Sequence, residues 1–279
     1  MLVLVLLGEL SVVRNHAIKN AIIVATVFCL SACAPKDNAA PAAGAITETG
    51  SFSARAAAAV ANTARPDADR ADDAMRKPTD VLTFIEVSSG ANVFEMEAGG
   101  GYYTELISAL VGPDGEVVMH NPESFDAFLG DSVATRIDGR LNNVRRTKSA
   151  FDKLDANDAS MDVVTWMLGP HDLYYTPAGD WPVSDEAGSY EEAFRILKPG
   201  GVFIVLDHMA APGSPKTTGG TVHRIDSAIV VALAEAAGFT LAGESDVLRN
   251  ADDNYDAIVF DPLVRRKTDR FLLKFKKPE

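Results

Sequence analysis

The sequence predicts an α/β protein with a mostly parallel, doubly wound sheet, and three observations lead to this class. From Asn92 onward, short apolar runs alternate with stretches of helical periodicity, as expected for strands joined by crossover helices. The run 202–206 is continuously apolar, which is typical of a strand buried on both faces. A turn of three glycines, Gly99 to Gly101, joins the first apolar run directly to a helical pattern.

The individual elements follow from the same periodicities. The apolar runs predict strands at 93–96, 116–120, 144–148, 161–167, 202–206, 239–248 and 270–276. Helical patterns predict helices at 104–111, 124–129, 190–197 and 225–237. Gly112, Pro199 and Gly238 lie just beyond three of these helices, where such residues end a helix. Before the sheet, residues 66–86 are expected to form a mostly exposed helix that Pro78 breaks, followed by a second short helix.

The glycine turn is the strongest indication of a ligand. Glycine lets the backbone bend sharply and lets a ligand approach without a Cβ in the way. The helix that follows directs unpaired N–H groups and its positive dipole end into the same space. These features favour a nucleotide-like cofactor, and the alternative is a glycine-rich strand-to-helix turn that binds no ligand.

Two cofactors compete for this turn. The dinucleotide fingerprint G-x-G-x-x-G requires a third glycine for close packing of helix on strand, and Thr104 stands at that position, which disfavours NAD. An acidic strand end followed by Gly99-Gly100-Gly101-Tyr102-Tyr103-Thr104 instead resembles the first motif of class I S-adenosylmethionine-dependent methyltransferases. In that family the glycine loop lies against the methionine part of the cofactor.

Further motifs extend this resemblance over residues 92–277. The D-V-V strand at 162–166 and the L-K-P-G-G segment within 194–206 resemble later elements of the family, in the same order along the chain. The tail 267–275 resembles a branch of predicted methyltransferases that carry secretion signals. The resemblance implies a Rossmann-like methyltransferase fold with seven strands, the last of them antiparallel, and S-adenosylmethionine as the cofactor.

The resemblance also implies which positions contact the cofactor. These are Glu95, Glu97, Gly99, Gly100, Gly101, Asn121, Ala150 and Phe151. Three of them depart from the family pattern, which usually has glycine at 97 and an acid at 121 and at 150. Asn121 can still accept a hydrogen bond from a ribose hydroxyl but carries no charge. Each weakened contact is expected to cost about 1–3 kcal/mol if a polar partner is left unsatisfied.

Candidate catalytic residues follow the strands. In an open α/β sheet, ligands bind beyond the carboxyl ends of the strands, where His120, His171 and His208 are expected. We predict His171 as a general base, because an imidazole pKa of about 6.5 suits neutral pH. Asp172 could orient this ring or contact the cofactor.

Other residues are expected around the substrate. Tyr174 and Tyr175 could line the substrate entrance. The segment 223–226 could form a lid over an anionic substrate, while helix capping is the alternative role for Asp226.

Composition excludes several classes. The 279-residue chain carries a net charge of −13, so a nucleic-acid-binding surface, which requires a basic face, is not expected. Cys29 and Cys33 are the only cysteines, so the sequence predicts no disulfide and no thiolate metal site. No metal ligands are predicted.

The N-terminal region predicts export. Arg14 and Lys19 precede an apolar run at 21–30 and then Ser31-Ala32-Cys33, the order of a secretory signal peptide. The last four residues of this region resemble a bacterial lipobox, which implies cleavage before Cys33 and its lipidation. The expected organisation is a signal peptide at 1–32, a flexible linker at 33–65 and a methyltransferase-like domain at 66–279. A lipoprotein on the periplasmic face of the outer membrane is expected.

The leading functional hypothesis is therefore a membrane-tethered methyltransferase that acts on an unidentified small molecule. The alternative is a ligand-binding lipoprotein on the same scaffold that lacks catalysis. An NAD-dependent oxidoreductase is a third hypothesis, weakened by Thr104. The sequence leaves the oligomeric state open.

Overall fold

The sheet has the predicted architecture. The computed structural model describes residues 51–176 and 184–279, and within them the strand order is β3-β2-β1-β4-β5-β7-β6. Strands β1 to β5 are parallel to one another, whereas β7 is antiparallel to both β5 and β6. The predicted doubly wound sheet with an antiparallel last strand is confirmed. The strands are β1 (Asn92–Met96), β2 (Glu116–His120), β3 (Val144–Thr147), β4 (Met161–Met167), β5 (Leu197–His208), β6 (Thr240–Ser245) and β7 (Arg270–Lys276).

Helices lie before the sheet and between its strands. They are α1 (Phe52–Val60), α2 (Asp67–Arg76), α3 (Pro78–Ile85), α4 (Tyr102–Val111), α5 (Asp126–Leu129), α6 (Ser132–Ile137), α7 (Glu186–Ile196), α8 (Thr218–Val222) and α9 (Ser227–Ala236). Two short 3₁₀ turns, Glu123–Phe125 and Pro170–Tyr174, follow β2 and β4. No helix within these described ranges is long and apolar enough to cross a bilayer. The predicted signal peptide and Cys33 lie outside the described residues.

Helix α1 corrects the expected extent of the linker. Residues 52–60 were expected to be flexible, but they form a helix that packs on α3 and α4. Ala56 and Ala59 are buried, and the guanidinium of Arg55 donates to the carbonyls of Val87 and Leu110 at 3.0 and 2.9 Å. A stripe of small residues and one buried arginine thus fix a segment whose composition is poor in large apolar side chains.

Strand β5 is longer than the sequence predicts. The Lys198-Pro199-Gly200-Gly201 segment, expected as a break, belongs to the strand, and the register with β4 shifts between Met161 and Val163. A Cβ on Gly201 would lie 2.8 Å from the carbonyl of Lys198, so the irregular pairing requires glycine there.

The core occupies both faces of the sheet. Trp166 and Phe203 centre one buried cluster, which α7 and α9 cover. Leu106 and Ile107 of α4 belong to the cluster on the opposite face, together with Val81 of α3. With both faces covered, the carboxyl-end edge of the parallel strands is the place where polar side chains collect.

Candidate functional site

A cavity of about 720 Å³ opens at the carboxyl ends of β1 and β4. This volume lies within the range of pockets that hold small molecules and cofactors. Its wall combines strand-end residues with side chains from the N-terminal helix α2. The residues that line it include Asp69, Asp72, Arg76, Glu95, Glu97, Gly99, Gly100, Tyr103, Phe125, Phe128, Arg136, His171, Asp172, Tyr175, His208, His223 and Phe260.

The glycine turn forms one end of this cavity. Gly99 and Gly101 have φ values of +56° and +83°, the left-handed conformation that favours glycine. A Cβ built on Gly99 or Gly100 would meet no atom within 4 Å, so this backbone borders open space. Asn121 holds the turn from behind, since its Oδ1 accepts from the Gly99 amide at 2.7 Å and its Nδ2 donates to the Gly99 carbonyl at 3.1 Å.

Glu95 places a buried carboxyl beside the glycine turn. It lies in β1 and is 1% exposed, and Thr104 at the start of α4 donates its hydroxyl to Glu95 Oε2 at 2.5 Å. Burial raises the pKa of Glu95 to about 7, although the Thr104 hydrogen bond and the charge of Arg136 oppose the shift. The carboxyl therefore changes charge near neutral pH.

Arg136 ties the turn to the surrounding helices. Its Nε donates to the Gly100 carbonyl at 2.9 Å, and its guanidinium forms ion pairs with Asp69 and Glu105. Because α6 supplies the arginine, α2 supplies Asp69 and α4 supplies Glu105, one side chain joins three helices around the loop. This network fixes the outer wall of the cavity.

Glu97 turns away from the glycine turn and toward the middle of the cavity. Its Oε2 accepts from Trp166 Nε1 at 2.7 Å, and its carboxyl lies within hydrogen-bonding reach of Asp172. Gly169 makes this possible, because a Cβ there would lie 2.1 Å from both Glu97 Oε2 and Trp166 Nε1. Burial and the neighbouring charge of Asp172 hold the pKa of Glu97 well above its ordinary value.

His171 is held by a buried aspartate on the neighbouring strand. Asp207, at the end of β5, lies 2.7 Å from His171 Nδ1 through Oδ1 and accepts from the His171 amide at 2.8 Å through Oδ2. Burial lowers the pKa of His171, but the charges of Asp207 and Asp172 outweigh it and raise this pKa to about 9. With Nδ1 committed to Asp207, Nε2 is the nitrogen free to act in the cavity.

Asp172 lies between two imidazoles. Its Oδ1 is 3.4 Å from His171 Nε2 and 3.4 Å from His223 Nδ1. These separations exceed the roughly 2.7–2.9 Å of a charge-assisted N–H···O bond. The buried Oδ1 has no hydrogen-bond partner among the described residues.

Comparison with known proteins assigns the chain to a family. The profile of the ubiE/COQ5 methyltransferase family matches residues 75–215, which include the glycine turn, β4 and all of β5. The chain belongs to the ubiE/COQ5 methyltransferase family. The predicted resemblance to class I S-adenosylmethionine-dependent methyltransferases is thereby confirmed, and membership in the family implies S-adenosylmethionine as cofactor.

Individual relatives of this ubiE/COQ5 family chain match over a shorter range. The ubiquinone/menaquinone biosynthesis C-methyltransferase UbiE of Ectopseudomonas mendocina is 30% identical over 130 residues, which is 46% of each chain. The protein of the same name from Pasteurella multocida is 28% identical over 121 residues, 43% of this chain and 41% of that one. The chain thus spans less than half the length of these relatives.

Solved structures share the fold. An S-adenosylmethionine-dependent methyltransferase from Aquifex aeolicus superposes with a TM-score of 0.51 at 17% identity, covering 74% of this chain and 97% of that one. One from Mesorhizobium loti gives 0.52 at 15% identity, with 74% and 100% covered. The [4+2]-cyclase SpnF gives 0.51 at 18% identity, with 78% and 86% covered, so this fold alone does not fix a reaction.

The residues of this ubiE/COQ5 family member fit the implied cofactor at the glycine end. S-adenosylmethionine carries a positive sulfonium, and Glu95 provides a carboxyl group on the cavity wall, whereas Asp69 and Asp72 on the same wall already pair with arginines. The exposed backbone of Gly99 and Gly100 gives a flat surface that a Cβ would fill. These features match a cationic ligand with an extended shape.

The predicted cofactor residues divide into two groups. Glu95, Glu97, Gly99 and Gly100 line the cavity. The others are not among the residues that line it in the described part of the chain. Gly101 and Asn121 support the turn instead, since a Cβ on Gly101 would lie 3.0 Å from Met119 Cε. Ala150 and Phe151 follow β3, and the Phe151 side chain packs in the core against Trp166.

Some of the other candidate residues line the cavity and others do not. His171, His208 and Tyr175 line the cavity. His120 does not, because its ring is fully buried, its Nδ1 faces the Glu97 amide at 3.3 Å and its Nε2 faces the Ser149 carbonyl at 3.0 Å. Burial lowers the pKa of His120 to about 4, so this ring is neutral.

The prediction that residues 223–226 form a lid over the substrate is wrong for Arg224. This arginine is fully buried and pairs with Asp253 at 2.7 Å, so it cannot reach a substrate. Asp226 caps α9 by accepting from the Ala228 amide at 3.0 Å, which confirms the capping role. Asp207, rather than Asp172, orients His171 through Nδ1.

Sequence reasoning missed the contribution of α2 and of the helices after β2. Asp69, Asp72 and Arg76 line the cavity although α2 was expected to be mostly exposed. Phe125 and Phe128 add an aromatic wall, with ring centroids 4.7 Å apart. The high charge of α2 gave no signal of a binding face, whereas the two phenylalanines after a strand end could have been recognised as a stacking surface.

Proposed function

We propose that the protein is an S-adenosylmethionine-dependent methyltransferase whose acceptor is a small molecule with an aromatic or other apolar part. The observation that carries the proposal is the position of the glycine turn and of buried Glu95 at one end of a cavity whose other end holds His171 and Asp172. One cavity thus provides a place for the methyl donor and a polar place for the acceptor.

The glycine end would hold the cofactor. When bound, S-adenosylmethionine supplies an electrophilic methyl group on a positively charged sulfur. Glu95 would stabilise positive charge at this end, and Phe125 with Phe128 offers a surface on which a flat ring can stack. Asn121 supports the turn rather than the ligand, because both ends of its amide are engaged with Gly99.

The histidine end would hold the acceptor. Tyr175 and Phe260 stand near His223, with ring centroids 4.5 and 4.8 Å from its imidazole. These rings give an apolar surface beside a polar group, the arrangement that orients a small aromatic molecule. Alignment of acceptor and methyl donor is the main task of the protein in such a displacement.

The proton on His171 defines what this ring does. With a pKa of about 9, His171 carries a proton at neutral pH and donates a hydrogen bond through Nε2. It becomes a general base only as the pH approaches this value, which revises the prediction made from an ordinary imidazole pKa. At neutral pH the ring stabilises negative charge on an acceptor oxygen.

Calorimetric titration tests the proposal. The full chain is expected to bind either S-adenosylmethionine or S-adenosylhomocysteine at a single site. Gly101→Val is expected to abolish the binding of each compound while the circular dichroism spectrum keeps its α/β shape. A folded chain that binds neither compound would exclude the methyltransferase and leave a binding protein for some other ligand. Transfer of labelled methyl to a panel of quinols and phenols would then identify the acceptor.

We also propose export and lipid anchoring at Cys33, on the basis of the N-terminal sequence. The chain would act at the periplasmic face of the outer membrane. Cys33→Ser is expected to release it from the membrane fraction, with Cys29→Ser as the matched control that stays bound. Membrane association of the Cys33→Ser protein would exclude lipid anchoring.

A further inference from the structure

We propose that His171, Asp172 and His223 bind a divalent transition-metal ion in the cavity. Each of the three residues offers one ligand atom, and these atoms lie within 4.8 Å of one another. Two imidazoles and one carboxylate form a common ligand set for Zn²⁺ and Fe²⁺ in sites that keep an open coordination position. The sequence predicted His171 and Asp172 as catalytic residues, but it predicted no metal ligand.

The distances fit coordination better than hydrogen bonding. Ligand atoms about 2.0–2.1 Å from a tetrahedral Zn²⁺ lie about 3.3 Å apart. Asp172 Oδ1 is 3.4 Å from each imidazole nitrogen and has no hydrogen-bond partner in the described part of the chain. The buried oxygen is thus oriented toward both imidazoles at the spacing that a shared ion requires.

The surroundings of His171 resemble those of a metal ligand. A coordinating histidine normally donates its second ring N–H to a carboxylate, which fixes the tautomer and the ring orientation. Asp207 Oδ1 lies 2.7 Å from His171 Nδ1 and leaves Nε2 directed at Asp172. The outer partner that a histidine ligand needs is therefore already in place.

The local charge also favours a cation. Glu97, Asp172 and Asp207 are close together and buried, and none of the three forms an ion pair with lysine or arginine among the described residues. The imidazoles of His171 and His223 are the neighbouring groups that can carry positive charge beside these carboxyl groups. A divalent ion at the centre of the cluster would displace the protons of the coordinating nitrogens and supply a larger positive charge.

The chain brings the third ligand to the site by close backbone packing. His223 follows α8, which lies directly on the 3₁₀ turn that carries His171 and Asp172. A Cβ on Gly219 would lie 2.3 Å from the carbonyl oxygen of His171, and a Cβ on Gly220 would lie 2.3 Å from that of Tyr174. Only glycine permits this approach.

The open position of the ion would bind the acceptor. Three protein ligands leave at least one position, which faces the cavity near Tyr175. A metal ion lowers the pKa of a bound hydroxyl group, so the acceptor class is an aromatic compound with a free hydroxyl. This role rests on the proposed methyl transfer, whereas ion binding does not.

The test uses the full chain after chelation and dialysis, titrated with ZnCl₂ in a calorimeter. One Zn²⁺ per chain is expected, and His223→Gln and Asp172→Asn should each weaken its binding at least about 100-fold, since each removes a ligand. Asp207→Asn should weaken it about 10–100-fold by loss of the outer partner. The control Asp72→Asn alters the same cavity outside the cluster and should stay within about threefold of the wild type.

Spectroscopy distinguishes coordination from adsorption. Co²⁺ added to the wild-type chain should give the intense visible absorption of four-coordinate Co²⁺, which His223→Gln removes, whereas hydrated ions held loosely on acidic surface absorb only weakly. If a variant fails to fold, thermal unfolding of the wild type still tests Zn²⁺ binding, because bound Zn²⁺ must raise the midpoint of unfolding of the wild-type chain. Absence of saturable binding, or equal Zn²⁺ affinity in wild type, His223→Gln and Asp172→Asn, would overturn the proposal.

Two further titrations separate this inference from the proposed function. If the chain binds Zn²⁺ but not S-adenosylmethionine, the metal site stands and the methyltransferase function is excluded. If it binds S-adenosylmethionine but not Zn²⁺, only the metal site is excluded. Catechol serves as the probe of the open position. It should bind the Zn²⁺-loaded chain and not the metal-free chain, and equal binding to both would refute the assigned role.

Discussion

Replacing Glu95 with glutamine is expected to change stability and cofactor binding in opposite directions. Burial shifts the pKa of Glu95 from 4.5 to about 7. The folded protein therefore holds a proton that the unfolded chain has lost between these pH values, and the unfolding free energy falls as the pH rises. At about 1.4 kcal/mol for each pKa unit, the full effect is about 3 kcal/mol, of which about 2 kcal/mol is lost between pH 5.5 and pH 8.

The assay is urea unfolding of wild type and Glu95→Gln across this pH interval. Glutamine can still accept the Thr104 hydroxyl but does not ionise. The unfolding free energy of the variant minus that of the wild type should rise by about 2 kcal/mol from pH 5.5 to pH 8, because all other titrating groups cancel. A difference that stays constant with pH would refute the buried, ionisable state assigned to Glu95.

The same variant tests the function of the carboxyl. At pH 8 the wild-type Glu95 is ionised and attracts a positive sulfonium, whereas glutamine does not. Glu95→Gln should weaken binding of S-adenosylmethionine more than that of S-adenosylhomocysteine, which lacks the sulfonium charge. Equal losses of affinity for the two ligands would mean that Glu95 contributes to the shape of the site and not through its charge.

Three further substitutions test the geometry of the cavity. Gly169→Ala should lower the midpoint of thermal unfolding, because its Cβ would lie 2.1 Å from the Glu97 carboxyl, and an unchanged midpoint would contradict this packing. Gly101→Val should strain a backbone with φ of +83° and abolish S-adenosylhomocysteine binding, which the calorimeter measures. Asn121→Asp removes the donor to the Gly99 carbonyl and should lower the free energy of unfolding in urea by about 1–2 kcal/mol. An unchanged free energy of unfolding would mean that this hydrogen bond does not stabilise the glycine turn.

The sheet could be predicted because its signals are local. Strands β2, β4 and β7 have the predicted bounds, since each is an apolar run enclosed by turn residues or charges. The glycine turn was also found from sequence, because three consecutive glycines between strand and helix have few other uses. Helix α1 was missed because its buried alanines resemble the composition of a linker.

The histidine cluster could be predicted only in part. The sequence placed His171 and His208 at the same edge of the sheet, at the ends of β4 and β5, yet nothing local shows that Asp207 contacts His171 Nδ1. His223 joins them through packing of α8, and this contact depends on Gly219 and Gly220, whose role is visible only in three dimensions. Long-range packing, rather than local propensity, therefore determines the chemistry of the site.

Glu97 connects the two ends of the cavity. Its φ of +55° is unfavourable by about 1–2 kcal/mol for a residue with a Cβ, yet its side chain satisfies Trp166 Nε1, a buried donor that would otherwise lose about 1–3 kcal/mol. The two terms offset each other, so glutamate is compatible with the fold at this position. Its backbone leads into the glycine turn, and its carboxyl meets Asp172. A movement of Glu97 therefore alters both the glycine turn and the position of Asp172. We expect the proposed cation to change the affinity for the cofactor, and the cofactor to change the affinity for the cation by the same factor.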